Sequence, residues 1–198
     1  MALYVSGTKC ELREVVLRDK PSHMLEISPT ATVPVLQGSD GVVVDESLDV
    51  MIWALEHHDP QGWLTPETET SADMLALIAQ ADGNFKDNLD RYKYPNRYDL
   101  DDGEIYRRLG EAFLAELEYR LKTAAFLFGS KPCLADYAIA PFIRQFANVD
   151  RAWFDASDHL ELQRWLAAFL QADLFTAIMD KYPQWHPGDE VTFAPVAE

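Results

Sequence analysis

The chain has 198 residues, 48% of them hydrophobic and 25% charged, a balance ordinary for a folded globular protein with a sizeable core. Its 33 acidic against 17 basic residues give a formal charge of −16, which argues against a general nucleic-acid surface and against binding to anionic membranes. Cys10 and Cys133 lie far apart, with no Cys-x-x-Cys or Cys/His spacing, so neither a disulfide framework nor a metal site is expected. The first residues are too short and uncharged for a signal peptide, and no apolar run approaches the roughly 18 residues of a membrane span. A cytoplasmic, reducing compartment is therefore the expectation.

In chain order, Met1 to Ser6 reads as the last turn of an apolar helix, closed by Gly7 in the position that favours a left-handed cap. Cys10 to Leu17 predicts a strand, with Leu12 and Val16 on one face and Val15 and Leu17 on the other. Lys20-Pro21 initiates a short helix with Met24, Leu25 and Ile27 on its apolar side, and Ser28-Pro29 ends it. Two β-branched runs, Thr30–Leu36 and Val42–Ser47, flank the connector Gln37–Gly41 and predict an antiparallel hairpin. Pro34 interrupts the first run. A proline cannot donate to a ladder, so it belongs at an edge, a bulge or the start of a strand, where a cis peptide also occurs. This stretch is the expected binding region. A helix then starts at Asp45-Glu46-Ser47 and runs to about His57, burying Leu48, Met51, Ile52 and Leu55.

Asp59 to Pro66 is rich in breakers and reads as a linker, beyond which no strand is predicted. The spacing of Met74, Ile78, Ala81, Phe85 and Leu89 predicts one helix over 71–91, interrupted at Tyr92–Tyr98. A second spans about 102–124, with Ile105, Leu109, Phe113, Leu117 and Leu121 as its buried stripe. Further helices are expected over 135–148, with Pro141 inside, over 160–171 and over 173–182, before a polar tail that wraps the surface or frays. The expected organisation is a small α/β domain over 1–58, a linker over 59–70, an all-helical domain over 71–183 and a tail over 184–198.

Four stretches carry a resemblance: Lys20-Pro21, Thr32-Val-Pro-Val-Leu36, Asp45-Glu-Ser47 and Gly129-Ser-Lys-Pro-Cys-Leu-Ala-Asp136. In that order and spacing the chain resembles the cytosolic glutathione transferase superfamily across essentially its whole length. The resemblance implies an α/β plus all-α fold: a thioredoxin-like N-terminal domain, incomplete because its first strand is missing, followed by an all-helical C-terminal domain. It implies that the Val33 backbone, beside a cis Pro34, pairs with the cysteinyl backbone of glutathione like an added strand. Ser47 and the N–H groups at its helix start would hold the γ-glutamyl carboxylate, Glu46 the ammonium and Lys20 the glycyl carboxylate. Read singly, Pro34 is also an edge-strand proline, Glu46 and Ser47 a helix cap, and Lys20 a solvated charge. The ordered set favours binding.

Cys133 departs from the Ser or Thr usual in the family. A thiol is a weak acceptor, so the cap it forms with Asp136 is expected to be poorer by about 1 kcal/mol, with Asp136 structural rather than catalytic. Arg91, Tyr92, Tyr94 and Tyr98 read either as the pocket for an electrophilic co-substrate or as a packing patch. The family's thiol-activating Tyr, Ser or Cys sits after the first strand, at the start of the first helix. Met1 falls part-way along that helix, so the start of translation is expected upstream and no catalytic residue is assigned. The missing strand would lie between the 10–17 strand and the Val33–Gln37 strand, leaving the former without its ladder partner. Cys10 lies away from Val33 and Ser47 and is no substitute nucleophile.

The expected function is glutathione conjugation to a small electrophile, or glutathione-dependent thiol-disulfide exchange, impaired in this chain. Glutathione is the implied substrate, with no metal; homodimerism is a family expectation alone. The alternative is a non-catalytic, protein-binding adaptor on the same fold, similar to stringent starvation protein A.

Overall fold

The computed structural model describes residues 1–197. The chain forms two compact units: Met1–Gln61 together with the segment from Asp173 onward, and Gly62–Ala172.

The first unit opens with α1 (Ala2–Val5), which buries Ala2 and Val5 and packs on α3 (Ser47–His57). Gly7 takes a φ of +69°, the left-handed turn expected of it. The strand predicted over Cys10–Leu17 does not form. Among the described residues that stretch makes isolated bridges only, Glu11 with Phe193 and Val16 with Asp19. The reason lies in what meets its backbone. The C-terminal tail does so at scattered points: Leu12 N–H donates to the Thr192 carbonyl at 2.7 Å, Ala194 N–H to Cys10 at 2.9 Å and Trp185 N–H to Glu14 at 2.9 Å. These bonds satisfy backbone groups without building a continuous ladder. The expected helix over 173–182 is shorter, α10 (Asp173–Ala177), and the described residues after it form no further helix or strand.

Between these lie α2 (Ser22–Ile27), starting directly after Pro21, and the hairpin of β1 (Val35–Gln37) and β2 (Val43–Asp45). The strands are antiparallel, with Val35 opposite Asp45, Leu36 opposite Val44 and Gln37 opposite Val43. Gly38 N–H closes the turn onto the Val42 carbonyl at 2.8 Å, and Gly41 supplies the positive φ of +85°. The strongest burial on α3 falls on Val50, Ala54 and Leu55, so the core face is turned from the Leu48, Met51 and Ile52 stripe, which is half-buried.

The second unit is helical. Thr70 caps α4 (Ser71–Gln80) in a reciprocal box with Asp73. The single helix predicted over 71–91 is broken: Ala81–Phe85 is a wide π-type turn in which Gly83 leaves helical geometry at ψ −108°, and α5 (Lys86–Lys93) continues beyond it. A 3-10 turn at Pro95–Tyr98 leads to α6 (Glu104–Leu121). This helix buries Gly110, Phe113, Leu114, Leu117, Glu118 and Leu121, while Ile105 and Leu109 are 60% and 56% exposed, against the expected stripe. Hydropathy misleads here because the buried face includes a glycine and a glutamate. A Cβ on Gly110 would stand 2.7 Å from the Phe146 ring, so close approach requires glycine.

At the centre of this unit α7 (Leu134–Ala147) carries Pro141 internally and packs against α4, α5 and α9 (Leu160–Gln171). The short α8 (Arg151–Ala156), capped by Asp150, went unread because six residues are too few for periodicity to register. Trp63, in the stretch read as a linker, is fully buried and stacks on Tyr137 at 3.6 Å between ring centroids.

Candidate functional site

The register of the hairpin sets the geometry of the first unit's candidate site. With Val35 opposite Asp45, residues 33–34 entering β1 and residues 46–47 leaving β2 lie at the same end of the ladder. The Val33-Pro34 peptide is cis, and Val33 is 46% exposed. Glu46 occupies the N-cap of α3 with a φ of +70°, uncommon for a residue with a side chain, and its carboxylate does not cap the helix. Its carbonyl accepts the Val50 N–H at 3.1 Å, which leaves the first-turn N–H groups of α3 and the exposed Ser47 at the positive end of the helix dipole. Lys20 precedes Pro21 at the start of α2 and, among the described residues, has no ion-pair partner. The other end of α2 reaches the hairpin directly, since the Ser28 hydroxyl donates to both carboxylate oxygens of Asp45, at 3.0 and 2.9 Å.

Neither cysteine is poised as a nucleophile. Burial pushes the half-buried Cys10 thiol up, and burial together with the Asp136 charge pushes the Cys133 thiol up to about 12. Among the described residues no group of three or more His, Cys, Asp or Glu could hold a metal ion, and no helix is long and apolar enough to cross a membrane.

The family model for the glutathione S-transferase N-terminal domain matches residues 1–62, and that for the C-terminal domain matches residues 97–168. The chain belongs to the glutathione S-transferase superfamily. It is 25% identical over 184 residues to glutathione S-transferase omega-1 of Mus musculus, an alignment covering 92% of this chain and 71% of that protein. Among solved structures, a glutathione S-transferase from Rhodospirillum rubrum F11 is similar with a TM-score of 0.66 at 18% identity, covering 85% of this chain and 80% of that one. A family member from Pseudomonas fluorescens with two glutathione bound has a TM-score of 0.66 at 18% identity, covering 79% and 74%. A glutathione transferase from Phanerochaete chrysosporium, in complex with oxidized glutathione, has a TM-score of 0.68 at 17% identity, covering 79% and 75%. The small two-stranded sheet with helices followed by a helical domain is the glutathione transferase fold, thioredoxin-like and then all-α.

On that transferase fold, Cys133 stands at the N-cap of α7 and Asp136 at its third helical position. The Asp136 carboxylate accepts the Cys133 N–H at 2.9 Å and its thiol at 3.5 Å. The aromatic-basic cluster of the helical unit separates into distinct roles. Arg91 lies over the rings of Tyr98, at 4.9 Å, and Tyr106, at 5.7 Å. Tyr94 instead takes Arg97 and Lys93 over its ring, at 4.1 and 4.8 Å. Tyr92 is buried against Phe146, with ring centroids 5.1 Å apart, and its hydroxyl faces inward. Arg91 and Tyr106, with Phe85, Asn88, Leu109 and Phe113, line an open groove of about 500 Å³. Tyr106 escaped the sequence reading because it lies on the next helix; its arrival beside Arg91 depends on how α5 and α6 pack.

Proposed function

We propose that this chain binds glutathione at the end of the β1–β2 hairpin from which Val33-Pro34 and Glu46-Ser47 emerge. The observation that carries the reading is the ladder register, Val35 opposite Asp45, which aligns those two pairs. Val33 supplies a backbone N–H and carbonyl to the cysteinyl residue of the tripeptide. Ser47 and the first-turn N–H groups of α3 donate to the γ-glutamyl carboxylate, and the Glu46 carboxylate accepts from the ammonium. Lys20 meets the glycyl carboxylate. In a chain of formal charge −16 such local donors are needed to hold an anionic peptide. The glutathione-bound relatives from Pseudomonas fluorescens and Phanerochaete chrysosporium support the ligand class.

The reaction class is attack by the glutathione thiolate, either on a small electrophile or on a disulfide. The bound peptide brings the nucleophile, since the thiols of Cys10 and Cys133 are both pushed up. No side chain within residues 1–198 is assigned to lower the glutathione thiol's pKa. Of the aromatic-basic cluster we assign Arg91, which lines the groove of the helical unit with Tyr106, to a co-substrate, and Tyr92 to packing.

The test is an NMR titration of the isotopically labelled chain with glutathione. Saturable shifts at the amides of 33–35 and 46–49, weakened roughly tenfold in Ser47→Ala, support the site. Absence of saturable shifts at those amides overturns it.

A further inference from the structure

Asp45 closes β2, and its carboxylate is the end point of a chain of hydroxyls. It accepts from Ser28 Oγ on both oxygens, at 3.0 and 2.9 Å, and from Thr30 Oγ1 in a longer contact of 3.4 Å. Ser28 Oγ and Thr30 Oγ1 stand 3.2 Å apart, and Thr30 Oγ1 and Thr32 Oγ1 3.0 Å. A carboxylate only accepts, so Ser28 donates to Asp45, and Thr30, whose one proton goes to Asp45 or to Ser28 Oγ, is left to accept from Thr32. The inner end is closed to water, since Ser28 is 1% exposed, whereas Thr30 and Thr32 are exposed.

The ladder itself holds residues 35–37 against 43–45 and stops there. Val33 and Pro34 lie outside it, after Ala31 at a φ of +53°. The hydroxyl chain therefore brackets residues 33–34 from upstream while the ladder brackets them from downstream. Both brackets meet at Asp45, the residue immediately before Glu46-Ser47.

We propose that Asp45 is a positioning residue for the glutathione site. Through Ser28, Thr30 and Thr32 it sets the spacing between the Val33 backbone and the N-terminus of α3. This inference rests on the glutathione reading above. A tripeptide held at both ends needs that spacing kept, because affinity falls steeply when one set of contacts is displaced by about 1 Å. A latch of purely structural kind would lower the thermal midpoint and leave the affinity of the folded chain unchanged.

The experiment titrates glutathione into the full chain and into Asp45→Asn, Thr30→Val and Thr30→Ser, following the Val33 and Ser47 amides and the thermal midpoint. Expected are equal affinity for the unaltered chain and Thr30→Ser, weaker binding by Thr30→Val, and roughly tenfold weaker binding by folded Asp45→Asn. The Asp45→Asn, Thr30→Val pair should bind no more weakly than Asp45→Asn alone, since both changes cut one chain of bonds. Equal affinity in every variant overturns the positioning role and leaves the glutathione site standing. No binding by the unaltered chain overturns the glutathione reading, and the positioning role with it. Should Asp45→Asn fail to fold, the comparison of Thr30→Val with Thr30→Ser, at an exposed position, decides by the same criterion.

Discussion

The indole N–H of Trp165 donates to Asp136 Oδ1 at 2.8 Å, tying α9 to the first turn of α7 in the interior of the helical unit. The same oxygen accepts the Leu127 N–H at 3.1 Å, while the other accepts the Cys133 N–H at 2.9 Å. One buried carboxylate thus satisfies three N–H donors from three parts of the unit.

Asp136→Ala is expected to destabilise the chain by at least about 3 kcal/mol, because three buried donors lose their acceptor together. Asp136→Asn keeps the oxygen facing Trp165 and Leu127 and loses the Cys133 side, so its cost should be smaller, about 1–2 kcal/mol. Urea unfolding followed by tryptophan fluorescence measures both. An Ala variant no less stable than the Asn variant would contradict the shared-acceptor account.

Acid stability should depend on carboxylates of opposite sign. Hydrogen bonds from Ser130 hold Glu67 below its ordinary range, and those from Thr70 do the same for Asp73. A folded-state pKa below the unfolded one contributes stability that is present above the unfolded value and lost as pH falls through the folded value. Asp136 is pushed up by burial, so its titration contributes stability below the unfolded value that is lost as pH rises through the folded one. Glu67→Gln and Asp73→Asn should therefore flatten the loss of stability below about pH 4, and Asp136→Asn should not. Urea midpoints measured across that range test the sign.

Cys133 is 2% exposed and its thiol is pushed up to about 12, so it should resist iodoacetamide at mildly alkaline pH in the folded chain. Cys10, half-buried, should react slowly, and both should react once the chain is unfolded in urea. Mass spectrometry of the modified peptides reads the order; fast native modification of Cys133 would contradict the packing described for the α7 N-cap.

Trp185 anchors the tail on the first unit. The Arg13 guanidinium lies 4.6 Å from its ring centroid and the His23 ring packs edge-on at 5.1 Å. Trp185→Ala should cost about 1 kcal/mol and speed hydrogen exchange at the Leu12 and Ala194 amides, whose bonds join the tail to residues 10–12. Unchanged exchange there would show that the backbone bonds hold the tail without the indole.

Much of this molecule is readable from the chain, and the reasons are local. Pro34 among β-branched residues, the Gly-rich connector and Glu46-Ser47 at a helix start all describe conformations decided within a few residues. The hairpin, α3 and the order of helices follow the sequence accordingly, as does the Cys133–Asp136 cap, three residues apart. Where a partner is distant, the reading fails. Residues 10–17 look like a strand by pattern, yet a ladder needs a continuous neighbour, and the tail touches that backbone only at points. Ile105 and Leu109 look buried by spacing, but the packing of α6 turns Gly110, Leu114 and Glu118 inward instead.

The candidate site divides along the same line. By itself the sequence determined that Val33-Pro34 and Glu46-Ser47 flank one hairpin, because turn chemistry and helix capping are properties of neighbouring residues. Only the tertiary structure decided that Ser28 and Thr30 meet at Asp45 with Thr32 bonded to Thr30, that Arg91 lies over the rings of both Tyr98 and Tyr106, and that Tyr92 faces inward. Those relations depend on register and on how one element packs against the next, which no pattern of neighbouring residues encodes.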